Sequence, residues 1–206
     1  MVWLNQMVFW IPQILAIIIL LWLWRKYLLE DKISLKFLRN IVFLVVGIYT
    51  LQLLVRVLIF YFELQKSLLG TYLLPGEGTA FFGDNVWVSF LEPFVIALVI
   101  GLVLAIVVGL IRRFWKRPLF EEIDPLVIFL TAFLVGMQNI FVLLLGSLLL
   151  MLIFKISRGI IGGKKDIGRR LAITPFLLLA ATLILILVNF NFYYIFLSQI
   201  GLAKFY

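Results

Sequence analysis

The chain has 206 residues, 65% of them hydrophobic and only 14% charged, with a net charge of +8 and neither cysteine nor histidine. A water-soluble domain is about half apolar and a quarter charged, so this composition excludes one. The missing thiol and imidazole exclude disulfides, the usual zinc and haem ligand sets, and Ser/His or Cys/His catalysis. Any hydrolytic chemistry would rest on the ten carboxylates.

The apolar runs are long and do not alternate, which predicts spanning helices rather than barrel strands, because backbone amides in hydrocarbon must be bonded within their own segment. The first run covers roughly 8–24. No basic residue precedes it and no small-residue cleavage site follows, as expected of a retained anchor. The second covers 38–61 and the third 86–111. Between them residues 62–86, rich in glycine and carrying Pro75, form an external loop. The fourth run, 125–137, is short and alone would reach only about 20 Å at 1.5 Å per residue, so it must either extend into its flanks or sit as a half-span packed among other helices. Gly136-Met137-Gln138-Asn139 reads as a tight turn into the fifth run, 139–156, and the sixth covers 171–197. Trp10, Trp22, Trp24, Trp87 and the stretch Phe190 to Tyr194 sit towards span ends, like an aromatic belt. No internal repeat stands out. The expected architecture is all-α: one polytopic transmembrane bundle over 1–206 with about six spans.

Most of the 18 basic residues fall in three loops, around Arg25 to Arg39, Arg112 to Arg117 and Lys155 to Arg170. Six spans put all three on one side, and the positive-inside rule makes that side cytoplasmic, with both termini outside in an inner, cytoplasmic membrane. The charge is thereby assigned to topology and anionic lipid, so the bilayer is the expected partner and nucleic acid is not.

Two sets of polar residues remain. Arg56 and Glu92 lie several residues inside the second and third spans, where an unpaired charge costs roughly 2.5–3.5 kcal/mol, which predicts that the two form a structural ion pair or meet a water-filled crevice, with an ion or proton path, or Arg56 snorkelling to the outer interface, as the alternatives. Glu121, Glu122 and Asp124 precede the fourth run. Asp124 followed by Pro125 is a helix start, with Asp124 as N-cap and the two glutamates beside the positive end of the dipole. The alternative is catalytic: two close carboxyls share a proton and activate a water. Of the carboxylates on the cytoplasmic side, Asp31 is the candidate partner, placed shortly before the second span as Asp124 is before the fourth. Glu63 belongs to the opposite side.

From Phe94 to Leu187 the chain resembles the membrane half of type IV prepilin leader peptidases. The resemblance rests on "FVIALVIGLVLAIVVGLIRRFWKR", "FEEIDPLVIFLTAFLVG", "IFVLLLGSLLLMLIFKISRG" and "RRLAITPFLLLAATLILIL". It makes Asp124 similar to the second catalytic aspartate of that family, Gly136 to its helix-ending glycine, and Pro175-Phe176 to its final motif. "DKISLKFLRNI" is similar to the context of the first aspartate, at Asp31. The resemblance implies an aspartic endopeptidase without cofactor or metal, cutting prepilin-like leader peptides at the cytoplasmic face, with Asp31 and Asp124 catalytic. Glu30, Glu121 and Glu122 would attract the basic leader. The two glycines expected before Asp124 are absent, Phe120 to Ile123 standing in their place. That departure favours the alternative, a non-catalytic peptidase-like scaffold or a subunit of a larger membrane complex. A small transporter would need more polar groups within the spans.

Overall fold

A computed structural model describes residues 2–30, 33–66, 81–114, 120–162 and 172–189, and within these every regular element is helical. In chain order they are α1 (Val2–Glu30), α2 (Leu35–Lys66), α3 (Phe81–Val86), a π-helical turn (Trp87–Leu91) running into α4 (Glu92–Phe114), α5 (Asp124–Val135), a 3-10 turn (Met137–Asn139), α6 (Ile140–Gly162) and α7 (Thr174–Asn189). Among the described residues, four stretches are long and apolar enough to cross a membrane: Trp10–Leu29, Leu35–Lys66, Phe82–Phe114 and Met137–Ser157. α5 and the described part of α7 are shorter. The chain is an all-α membrane protein. Asp31, most of the external-loop segment 62–86, Lys116 and Arg117, the basic stretch 163–170 and the aromatic stretch Phe190 to Tyr194 lie outside the described residues.

The outer faces identify the solvent. Phe43, Leu51, Phe114, Phe141, Leu145 and Ile153 each expose 61% or more of their surface, a contiguous apolar exterior that water would not tolerate and lipid accepts. Because lipid tails are as apolar as leucine, helix association here rests on close packing and interhelical hydrogen bonds rather than on hydrophobic burial.

α5 is the centre of that packing. Nine of its 12 residues are buried, and it contacts α2, α4, α6 and α7, while α1 closes the bundle against α2 and α7. Phe133 is its aromatic hub: the ring meets Phe129 in a stack at 6.1 Å and takes Phe94 of α4 and Tyr49 of α2 edge-on, each at 5.6 Å. Such pairs contribute about 0.5–1.5 kcal/mol each beyond area burial.

Glycine permits the closest approach. A Cβ on Gly101 would stand 3.1 Å from the Phe129 carbonyl oxygen, so only glycine lets α4 lie this near α5. Of the other span glycines, Gly146 would bring a Cβ into ordinary contact with Ala180, whereas a Cβ on Gly109 would meet nothing within 4 Å among the described residues.

α5 stops where the sequence says it should. Gly136 adopts φ 75° and ψ 169°, a region essentially confined to glycine, and its N–H still bonds Ala132 O at 3.0 Å. The chain then turns through Met137–Asn139 into α6. Twelve residues at 1.5 Å each make α5 about 18 Å long, well short of a 30 Å hydrocarbon core.

Candidate functional site

The start of α5 differs from the simple N-cap expected for Asp124. Ile123 is already near-helical, at φ −85° and ψ −19°, and its carbonyl accepts the N–H groups of both Leu126 and Val127 at 3.0 Å. The amides that a capping aspartate would serve are therefore satisfied. Freed from that task, the Asp124 carboxylate turns back along the chain and sideways across the bundle. Oδ2 accepts the backbone N–H of Glu121 at 2.5 Å, and Oδ1 accepts the hydroxyl of Thr174, the first residue of α7. Asp124 and Thr174 are both 0% exposed.

α7 begins in the same way as α5. Ile173 O accepts the N–H groups of Phe176 and Leu177, each at 3.1 Å, so Ile123-Asp124-Pro125 and Ile173-Thr174-Pro175 are two matching helix starts, joined by their middle residues. Proline suits this position because its missing N–H has no helical acceptor there.

A third helix reaches the site through Tyr27 of α1, whose hydroxyl donates to both Glu121 carboxylate oxygens at 3.0 Å. One residue earlier on the same helix, the Lys26 ammonium lies 4.5 Å from the centre of the Phe37 ring of α2, a cation–π contact tying the end of α1 to the start of α2. The C-terminal end of α1, the N-terminal ends of α2, α5 and α7, and the Arg112 side of α4 thus meet at one end of the bundle.

Electrostatics at this end oppose ionisation of Asp124. Burial pushes its carboxyl above the ordinary value of 3.8; the Thr174 hydroxyl, the Glu121 N–H and the Arg112 charge pull it down, while the Glu121 charge adds to the rise. The group favours its neutral form more than a surface aspartate does.

Of the residues expected to act together, the structure places Asp124 in the interior and exposes Glu121 and Glu122 beside it. Glu30 closes α1 at the same end, and Asp31 lies outside the described residues. The partner the structure gives Asp124 is Thr174, with Tyr27 one step removed; neither is evident from local sequence. Other buried hydroxyls are accounted for locally: Thr131, Ser147 and Thr182 each donate to a carbonyl of their own helix.

Arg56 lies at the other end of α5. It lines a cavity of about 210 Å³ together with Gln13, Tyr49, Gln52, Ser89 and the Phe133 ring. Glu92 opens α4, half-buried, one residue before Pro93, which lines the same cavity.

No protein-family model matches the chain, and neither a curated protein nor a solved structure matches it.

Proposed function

We propose that the chain is a multi-pass protein of the cytoplasmic membrane that acts without catalysis, as a peptidase-like scaffold or membrane subunit in which Asp124 fastens helix starts together. One observation carries this reading: both oxygens of Asp124 are occupied by protein donors, the Thr174 hydroxyl and the Glu121 N–H, in a residue with no exposed surface. A carboxyl that activates water must present a lone pair to that water while its protonated partner donates an O–H to the substrate carbonyl, and the glycines that would let a substrate backbone approach are replaced by Phe120, Glu121, Glu122 and Ile123.

A topology with six spans and both termini outside fits the same arrangement. Arg25, Lys26, Lys36, Arg39, Arg112 and Arg113 occupy helix ends or starts on the Asp124 side, and the positive-inside rule makes that side cytoplasmic.

The aspartic endopeptidase reading keeps one specific support. The Tyr27 to Glu121 hydrogen bonds bring the end of α1, four residues before Asp31, to the Asp124 end of the bundle. In that reading Asp31 and Asp124 form the dyad, and Glu30, Glu121 and Glu122 draw in a basic prepilin-like leader.

Purified chain incubated with a prepilin in mixed micelles separates the two. The scaffold reading expects no cleavage by wild type. Cleavage by wild type that is abolished in both Asp31→Asn and Asp124→Asn would overturn it in favour of the peptidase.

A further inference from the structure

Because α5 ends partway through the bundle, the space beyond Phe133 is left to be enclosed by α1, α2 and the π-helical turn. The cavity of about 210 Å³ occupies that space. Its floor is aromatic, formed by Phe90, Phe94 and Phe133, and its walls are hydrogen-bonding: Gln13 from α1, Tyr49 and Gln52 from α2, and Ser89 from the turn. Among the described residues that line it, Arg56 is the only charged one. We propose that this cavity binds a phosphoryl oxyanion, with the Arg56 guanidinium as its counter-charge.

Two features of the wall support an anion over a cation or an apolar guest. A guanidinium presents five N–H donors in a planar fork matched to phosphate oxygens and has no acceptor. The Tyr49 hydroxyl donates to Gln13 Oε1 at 3.4 Å, which engages the acceptor of that amide and leaves its N–H donors for a ligand. The helix is also locally unwound at this point: Pro93 cannot donate to the carbonyl of Ser89, and the chain passes through the π-helical turn Trp87–Leu91 just before it. Such turns are over-represented at functional sites.

Depth points to a lipid headgroup as one source of the oxyanion. α2 has 32 residues, about 48 Å, so with the excess over a 30 Å core shared between its ends, Arg56 lies about 6 Å inside the hydrocarbon boundary on the side away from Asp124. An anionic phospholipid drawn slightly inward would meet the guanidinium with its phosphate and the aromatic floor with its glycerol and acyl groups. A free phosphate ion entering from the aqueous side presents the same chemistry to the same residues.

Native mass spectrometry of the full chain, released from detergent with phosphatidylglycerol or phosphatidylcholine, tests the site, and melting with and without inorganic phosphate tells the two sources apart. Wild type should retain phosphatidylglycerol over phosphatidylcholine by about tenfold, or melt higher in phosphate than in chloride. Arg56→Gln should abolish whichever response is seen, Arg56→Lys should keep part of it, and Arg39→Gln at the opposite end should leave it unchanged. Should Arg56→Gln fail to fold, Gln13→Leu, which removes donors without touching the charge, should weaken the same response severalfold. A lipid preference without a phosphate response identifies a headgroup site, and a phosphate response identifies a free-ion site. Wild type lacking both responses, or a response of equal size in Arg56→Gln and Gln13→Leu, overturns the proposal.

Discussion

Replacing Thr174 by valine removes one hydroxyl from the helix start of α7 and changes little else in shape. The hydroxyl donates to Asp124 Oδ1 in a spot where neither residue has exposed surface, so water cannot replace it. Losing a hydrogen bond to a buried acid, with the acceptor left unsatisfied, costs about 1–3 kcal/mol; interhelical bonds within bilayers run towards the lower end of that range. Asp124→Asn should cost a similar amount for a different reason, since the amide can keep one acceptor for Thr174 but then sets its NH2 against the Glu121 N–H that Oδ2 now accepts. With the Thr174 hydroxyl gone, the amide is free to turn its oxygen towards the Glu121 N–H, so the double variant should cost less than the two singles together, with a coupling of about 1 kcal/mol. Reversible unfolding by SDS in mixed micelles, followed by the fluorescence of the six tryptophans, measures all three. A Thr174→Val variant indistinguishable from wild type, or costs that simply add, would show that the bond does not fasten the bundle.

The raised Asp124 carboxyl sets a pH dependence with a definite sign. Its folded value lies above the ordinary 3.8, so the folded state holds the proton more tightly than the unfolded one; the associated stability is fully present below 3.8 and is lost as pH rises through the folded value. The unfolding free energy of wild type relative to Asp124→Asn should therefore fall as pH is raised from about 4 towards 7, and a difference that stays flat contradicts the burial argument. At the other end of α5, Gly136→Ala should destabilise by about 1–3 kcal/mol through backbone strain alone, since a Cβ there meets nothing within 4 Å. Gly109→Ala, equally uncrowded but without a positive φ, is its control and should be neutral or mildly stabilising; equal losses in the two would remove the conformational explanation.

Much of the scaffold was legible because it follows from one-dimensional patterns. Apolar runs located the helices, the brevity of 125–137 left α5 either extended into its flanks or short and interior, of which the structure shows the second, and Gly136 marked its end, since a glycine followed by Met137-Gln138-Asn139 is a local signal. The partners of Asp124 were not legible in this way. Thr174 is 50 residues away and Tyr27 is 94 residues from Glu121, and helix periodicity says nothing about which helix starts are neighbours. A signal did exist in the matching Ile-Asp-Pro and Ile-Thr-Pro starts at 123–125 and 173–175, too short to register as a repeat but chemically complementary, an acceptor and a donor each placed before a proline. Gln13 and Gln52 likewise looked like isolated amides in apolar runs. Only packing shows that they converge with Tyr49 and Arg56 on one cavity.

The short length of α5 accounts for both polar features of the interior. A helix that crosses only part of a bilayer leaves non-helical backbone at membrane depth, which is tolerated only when protein surrounds it and its polar groups are bonded. The bonds from Gly136 N–H to Ala132 O, from Asn139 N–H to Gly136 O and from Asn139 Nδ2 to Val135 O meet that demand at its end, and the space left above it becomes the Arg56 cavity. At its start the same helix needs an anchor, because a short element gains few contacts along its length, and Asp124 supplies one through Thr174. The two ends stand about 18 Å apart along the helix, beyond the distance over which substitutions usually couple. A weakened fastening at Asp124 and a lost oxyanion at Arg56 are therefore independent measurements, and the failure of one proposal leaves the other standing.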